Sequence, residues 1–84
     1  MFLELDMTMT YEIEQAIKQS LPDAKVEVST HDDIHFSAIV IANSFANKTR
    51  VTQHQEVYRA LQETFGVNWS DKIHALELKT LTGE

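Results

Sequence analysis

Apolar positions recur at helical spacing in two stretches of the chain and at alternate positions in three. The clearest helical stretch is 51–65, VTQHQEVYRALQETF, where Val51, Tyr58, Leu61 and Phe65 fall at spacings of seven, three and four and Val57 widens the stripe. Thr49 and Thr52 both suit its N-cap, Thr52 completing a capping box with Gln55, and Gly66 is a natural stop. A second helix is predicted from Thr10, which fits a cap, with Ile13, Ala16, Ile17 and Leu21 on one face and Glu12 and Glu14 near the positive end of the dipole. Pro22 ends it, because proline has no N–H to donate and pushes Leu21 out of helical geometry.

The alternating stretches predict strands. In 25–29, Val26 and Val28 share one side and Lys25, Glu27 and Ser29 the other. After a polar, glycine-free loop over 30–33, the run 35–41 is apolar on both sides toward its end, with Phe36, Ala38 and Val40 on one and Ile39 and Ile41 on the other, which suits a central strand. The connection 43–48 fits a short helical turn near Ser44 to Ala46, and Asn47 is its residue best able to take left-handed geometry. Beyond Gly66 a loop is expected over 67–72, with Trp69 packing back on the body and turn chemistry at Ser70-Asp71. Strand three is predicted over 73–81, with His74, Leu76, Leu78 and Thr80 on one side and Ala75, Glu77 and Lys79 on the other.

The order is α-β-β-α-α-β, a two-layer α+β domain with a three-stranded mixed sheet and helices on one face. Residues 1–8 are expected to form a flexible N-terminal extension and 9–84 the domain. The length sets the scale: 84 residues bury one modest core, in which single contacts matter. No cysteine is present, which removes disulfides, a thiol nucleophile and any self-contained cysteine metal site. No stretch approaches a membrane span and no basic leader opens the chain, so a cytoplasmic protein with no membrane association is expected. The net charge of −6 disfavours a protein whose main task is to grip phosphates, although Lys48, Arg50 and Arg59 gather near the central helix.

No phosphate-binding glycine loop and no nucleophile elbow is present, so the usual catalytic templates find no match and no enzyme is expected. Four histidines remain: His31, His35, His54 and His74. His54 lies within the central helix, where packing or capping is its expected role. His31, in the loop between strands one and two, and His74, at the start of strand three, can meet at one sheet edge. Neutral imidazole ligates transition metals and replaces thiolate on one iron of some [2Fe–2S] clusters. Two histidines do not close such a site, so a cluster would need thiolates from another molecule.

Several segments together resemble the BolA family: His35-Phe36, the run Phe45-Ala46-Asn47-Lys48-Thr49-Arg50-Val51, Gln53-His54-Gln55 with Val57-Tyr58, Ile73-His74-Ala75-Leu76, and Lys79-Thr80-Leu81-Thr82. The short loop between strands one and two is similar to the IbaG-like branch, and Asn47 stands where many members have glycine. The resemblance implies a fold like the class II K-homology domain. It also implies a non-enzymatic partner of monothiol glutaredoxins that shares a glutathione-ligated [2Fe–2S] cluster, held only in that complex and not by the isolated chain. The implied role is in iron–sulfur cluster assembly, trafficking or iron regulation. The implied ligands are His74 and a second residue from the loop, His31 by location, with His35 of the His-Phe pair as the fallback. The alternative implied by the family is a nucleic-acid-binding transcriptional regulator linked to stress responses. Homodimerisation and weak DNA binding are compatible with it, but neither glycine belongs to the Gly-X-X-Gly clamp of K-homology domains.

Overall fold

The computed structural model describes residues 9–32, 34–73 and 75–83. The expected extension 1–8 and His74 therefore lie outside the described residues. Helix α1 spans Met9–Ser20 and buries Ile13, Ala16 and Ile17, with Leu21 continuing the same face one turn beyond Ile17. Thr10 falls inside the first turn and not at the cap expected of it. The last helical amide, Leu21 N–H, donates to the Ile17 carbonyl at 2.9 Å, and Pro22 then turns the chain.

Strands β1 (Lys25–Thr30), β2 (His35–Ala42) and β3 (Ala75–Thr82) form one sheet in the order β1-β2-β3. β1 and β2 pair antiparallel through their short loop, and β2 and β3 pair parallel through the intervening helices. β2 is central, as its two apolar sides require. Val26, Phe36, Ala38, Val40, Ala42 and Thr80 face the helices and are buried, and Val28, Leu76 and Leu78 pack against the same core. The opposite face carries Lys25, Glu27, Ser29, Ser37, Ile39, Ile41, Glu77, Lys79 and Leu81.

A 3₁₀ turn, Asn43–Phe45, drops Phe45 into the centre of the core, where it is fully buried with Ile13, Ile17, Leu61, Ile73, Val40 and Val57. Asn47 takes φ 67°, the left-handed conformation expected of it. Helix α2 then spans Arg50–Phe65, and the choice of cap is settled: Thr49 accepts from the Thr52 amide at 3.1 Å. At the other end Gly66, at φ 93°, donates its N–H to the Gln62 carbonyl.

The phase of α2 differs from the predicted stripe. Gln53, Val57, Ala60 and Leu61 are buried, while Val51 is 66% exposed and Tyr58 36%. Gln53 is drawn inward by polar partners. Its Nε2 donates to the carbonyls of Phe45 (3.2 Å) and Lys48 (3.0 Å), and its Oε1 accepts from Thr80 Oγ1 at 2.7 Å. Tyr58 is turned outward onto Trp69, with ring centroids 5.5 Å apart and planes 22° from parallel. Trp69 also packs against the core, as expected, but it opens a four-residue helix, α3 (Trp69–Lys72), in place of the predicted loop. Because Ile73 closes α3, donating to the Trp69 carbonyl, β3 begins at Ala75 and not at Ile73.

Candidate metal-ligand edge

The register brings the loop between β1 and β2 to the same end of the sheet as the start of β3. Thr30 is paired with Phe36 and Phe36 with Leu76, while His35 is paired with Ala75. His74 is outside the described residues, but its bonded neighbour Ala75 stands beside His35. The topology thus aligns one candidate, His35, with the strand start that follows another.

Short polar contacts fix the loop. The Asp32 carboxylate accepts through Oδ1 from the amides of Ile34 (3.0 Å) and His35 (2.9 Å), an Asx-type turn, and Thr30 Oγ1 donates to the His35 carbonyl at 2.6 Å. Asp32 Oδ2 meets His35 Nδ1 at 2.8 Å. The hydrogen bond from the His35 amide, then that from its ring, then that from the Ile34 amide hold the Asp32 carboxyl well below the usual carboxylate range. An ionised carboxylate only accepts, so Nδ1 carries the shared proton and Nε2 is the nitrogen left for another partner. The His35 side chain is 71% exposed, so that nitrogen is accessible from solvent.

His31 is exposed in the same loop. His54 is half-buried on α2, edge-on to Tyr58 at 6.2 Å, with its Nε2 shielded and lacking a hydrogen-bond partner. Of the packing or capping role expected of it, the edge contact with Tyr58 is packing within α2. Among the described residues no three His, Asp or Glu side chains converge as a metal site. His35 supplies one oriented nitrogen, so any metal bound at this edge needs further ligands. Sequence reasoning missed Asp32; the signal was an aspartate two and three residues ahead of the amides it captures.

A model of the BolA-like protein family matches residues 7–84. The chain belongs to the BolA family. This BolA-like protein is 38% identical over 72 residues to a protein of Haemophilus influenzae, covering 86% of this chain and 80% of the relative. A BolA homologue from Coxiella burnetii has a similar structure, with a TM-score of 0.68, 36% identity and coverage of 87% of this chain and 88% of that one. The BolA domain of SufE1 from Arabidopsis thaliana shares the fold at a TM-score of 0.67 and 23% identity, covering 88% and 94% of the two chains. The α+β architecture with a three-stranded mixed sheet is therefore that of solved BolA structures. Among the described residues no helix is long and apolar enough to cross a membrane.

The Asp32 carboxyl gives the BolA-like domain a testable pH signature. Its folded-state value is lowered, so the stabilisation from its hydrogen bonds is fully present above the unfolded carboxylate value, about 3.9. That stabilisation is lost as pH falls through the lower folded value. Carboxyl-carbon NMR is expected to show Asp32 titrating below the ordinary aspartate range. His35→Ala is expected to move it part-way up, because the ring bond goes while both backbone amides stay. A midpoint unchanged by His35→Ala would mean that the ring contact is absent in solution.

Proposed function

We propose that this BolA-like protein is a non-enzymatic partner of a monothiol glutaredoxin and shares with it a glutathione-ligated [2Fe–2S] cluster, in cluster assembly, trafficking or iron regulation. His74 is the proposed first ligand and His35 the second, with His31 the alternative in the same loop. The observation that carries this reading is the Asp32–His35 pair at the sheet end aligned with Ala75. A carboxylate on one imidazole nitrogen fixes the tautomer and the direction of the ring, the arrangement found behind many metal-bound histidines. The chain has no cysteine, so the thiolates belong to the partner's cysteine and to glutathione. The cluster is cargo held between two proteins. At this edge the imidazoles contribute neutral nitrogen donors, which favour a higher potential than an all-thiolate set.

The transcriptional reading is less well supported. Lys48 is tied to Glu56 at 2.6 Å, and the chain carries a net charge of −6. The test is reconstitution of the wild-type protein with a monothiol glutaredoxin, glutathione, iron and sulfide, followed by visible circular dichroism. A spectrum distinct from that of glutaredoxin alone, with both proteins co-eluting, is the expected result. Identical spectra and separate elution would overturn the proposal, and DNA binding across a salt series would then be the next measurement.

A further inference from the structure

The face of the sheet turned away from the helices is ordered in rows. Across β1, β2 and β3 the register reads Lys25–Ile41–Leu81, then Glu27–Ile39–Lys79, then Ser29–Ser37–Glu77. Ile39 and Ile41 are half-buried and Leu81 is 40% exposed, so an apolar centre lies between charged margins. The charges are placed unevenly. In the central row the acid is on one edge strand and the base on the other, and neither has an ion-pair partner among the described residues.

We propose that this face binds a second copy of the same chain. A two-fold axis parallel to the strands and above β2 lays β1 of one copy over β3 of the other and keeps every row at its own height. Glu27 then opposes Lys79 of the second copy twice, and Ile39 meets Ile39. The Lys25 stem lies on Leu81, and Ser29 faces Glu77, so no like charges meet. An axis across the strands through the same row would instead set Glu27 on Glu27 and Lys79 on Lys79. Twisted sheets stacked this way stay within about 30° of aligned.

Three strands at about 4.8 Å spacing, each about seven residues long at about 3.3 Å per residue, give roughly 330 Å² per copy. The total is below the ~1,000 Å² of a stable interface, which makes this a weak dimer, with a Kd from about ten micromolar upward. The axis places both 31–34 loops at one end of the dimer. This proposal is independent of the cluster reading and stands if that reading fails.

Sedimentation velocity of the purified protein over a concentration series is expected to show monomer–dimer exchange. Glu27→Lys and Lys79→Glu are each expected to raise Kd about tenfold, since each sets like charges together twice. Glu27→Lys also lowers the size of the net charge from −6 to −4, so weaker association in that variant cannot come from overall repulsion. The double variant Glu27→Lys/Lys79→Glu keeps −6 and is expected to return within about threefold of wild type. Ile39→Asp is expected to abolish the dimer, with the thermal melt of each variant confirming that it folds. A monomer at all concentrations, single variants that associate like wild type, or a double variant without recovery would each overturn the proposal.

Discussion

Replacing Gln53 by alanine is expected to destabilise the domain by about 3 kcal/mol, because it leaves a buried hydroxyl and a loop carbonyl without their partner. For a domain this size that lowers Tm by roughly 15 °C. Gln53 is only 8% exposed and joins three parts of the chain: the Phe45 and Lys48 carbonyls of the turn just before α2, α2 itself, and the sequence-distant Thr80 on β3. Its orientation is fixed by chemistry, since two carbonyls demand the amide nitrogen and a hydroxyl then donates to the oxygen. The Phe45 carbonyl keeps the Lys48 amide as donor at 3.1 Å, so its loss is smaller than that of the Thr80 hydroxyl, buried at 4% exposure. Gln53→Met fills the same space without the bonds and separates packing from polar satisfaction. Urea denaturation of Gln53→Ala, Thr80→Val and the double variant closes a cycle. A coupling of about 1 kcal/mol or more is expected between the two sites, and strictly additive losses would show that the contact is not formed.

Gln53 also marks the limit of what hydrophobic pattern reveals. A rule that seeks apolar stripes places Val51 and Tyr58 inward, because it cannot know that an amide four residues before Val57 will be met by carbonyls of the preceding turn. The phase of α2 was therefore set by tertiary hydrogen bonds, and Tyr58 was free to stack on Trp69. The strands were legible for the opposite reason: alternation in 25–29 and the two-sided apolar run in 35–41 leave one arrangement in which β2 is central. Pro22, Asn47 and Gly66 punctuate the chain through backbone sterics, which act locally and so can be read locally. α3 was missed because four residues, Trp69 to Lys72, hold little more than one helical turn and no period. At the candidate site, topology alone foretold that the first loop and the start of β3 share an edge. The aspartate ahead of two amides signals the turn, but the Asp32 contact to the His35 ring depends on how that turn folds and is not read from the pattern.

Replacing Asp32 is expected to weaken the proposed cluster shared with a glutaredoxin by about tenfold or more, although aspartate is not itself a proposed ligand. The reason is orientation: with Nδ1 held by the carboxylate at 2.8 Å, His35 presents Nε2 outward, and without it the ring loses both its fixed tautomer and its direction. In visible circular dichroism of the reconstituted complex, His74→Ala and His35→Ala are expected to lose or recast the heterocomplex spectrum. His31→Ala is expected to leave it intact, because nothing comparable among the described residues orients that side chain. Asp32→Asn divides the two duties of this carboxylate. Its amide oxygen can still accept from the Ile34 and His35 amides and keep the turn, but it carries no charge with which to polarise the imidazole. A spectrum weakened in Asp32→Asn with the melt unchanged assigns Asp32 to the ring, whereas a spectrum kept in Asp32→Asn and lost in Asp32→Ala assigns it to the loop. If His31→Ala removes the spectrum and His35→Ala does not, the second ligand is His31, and the Asp32–His35 pair serves only to close the turn between β1 and β2.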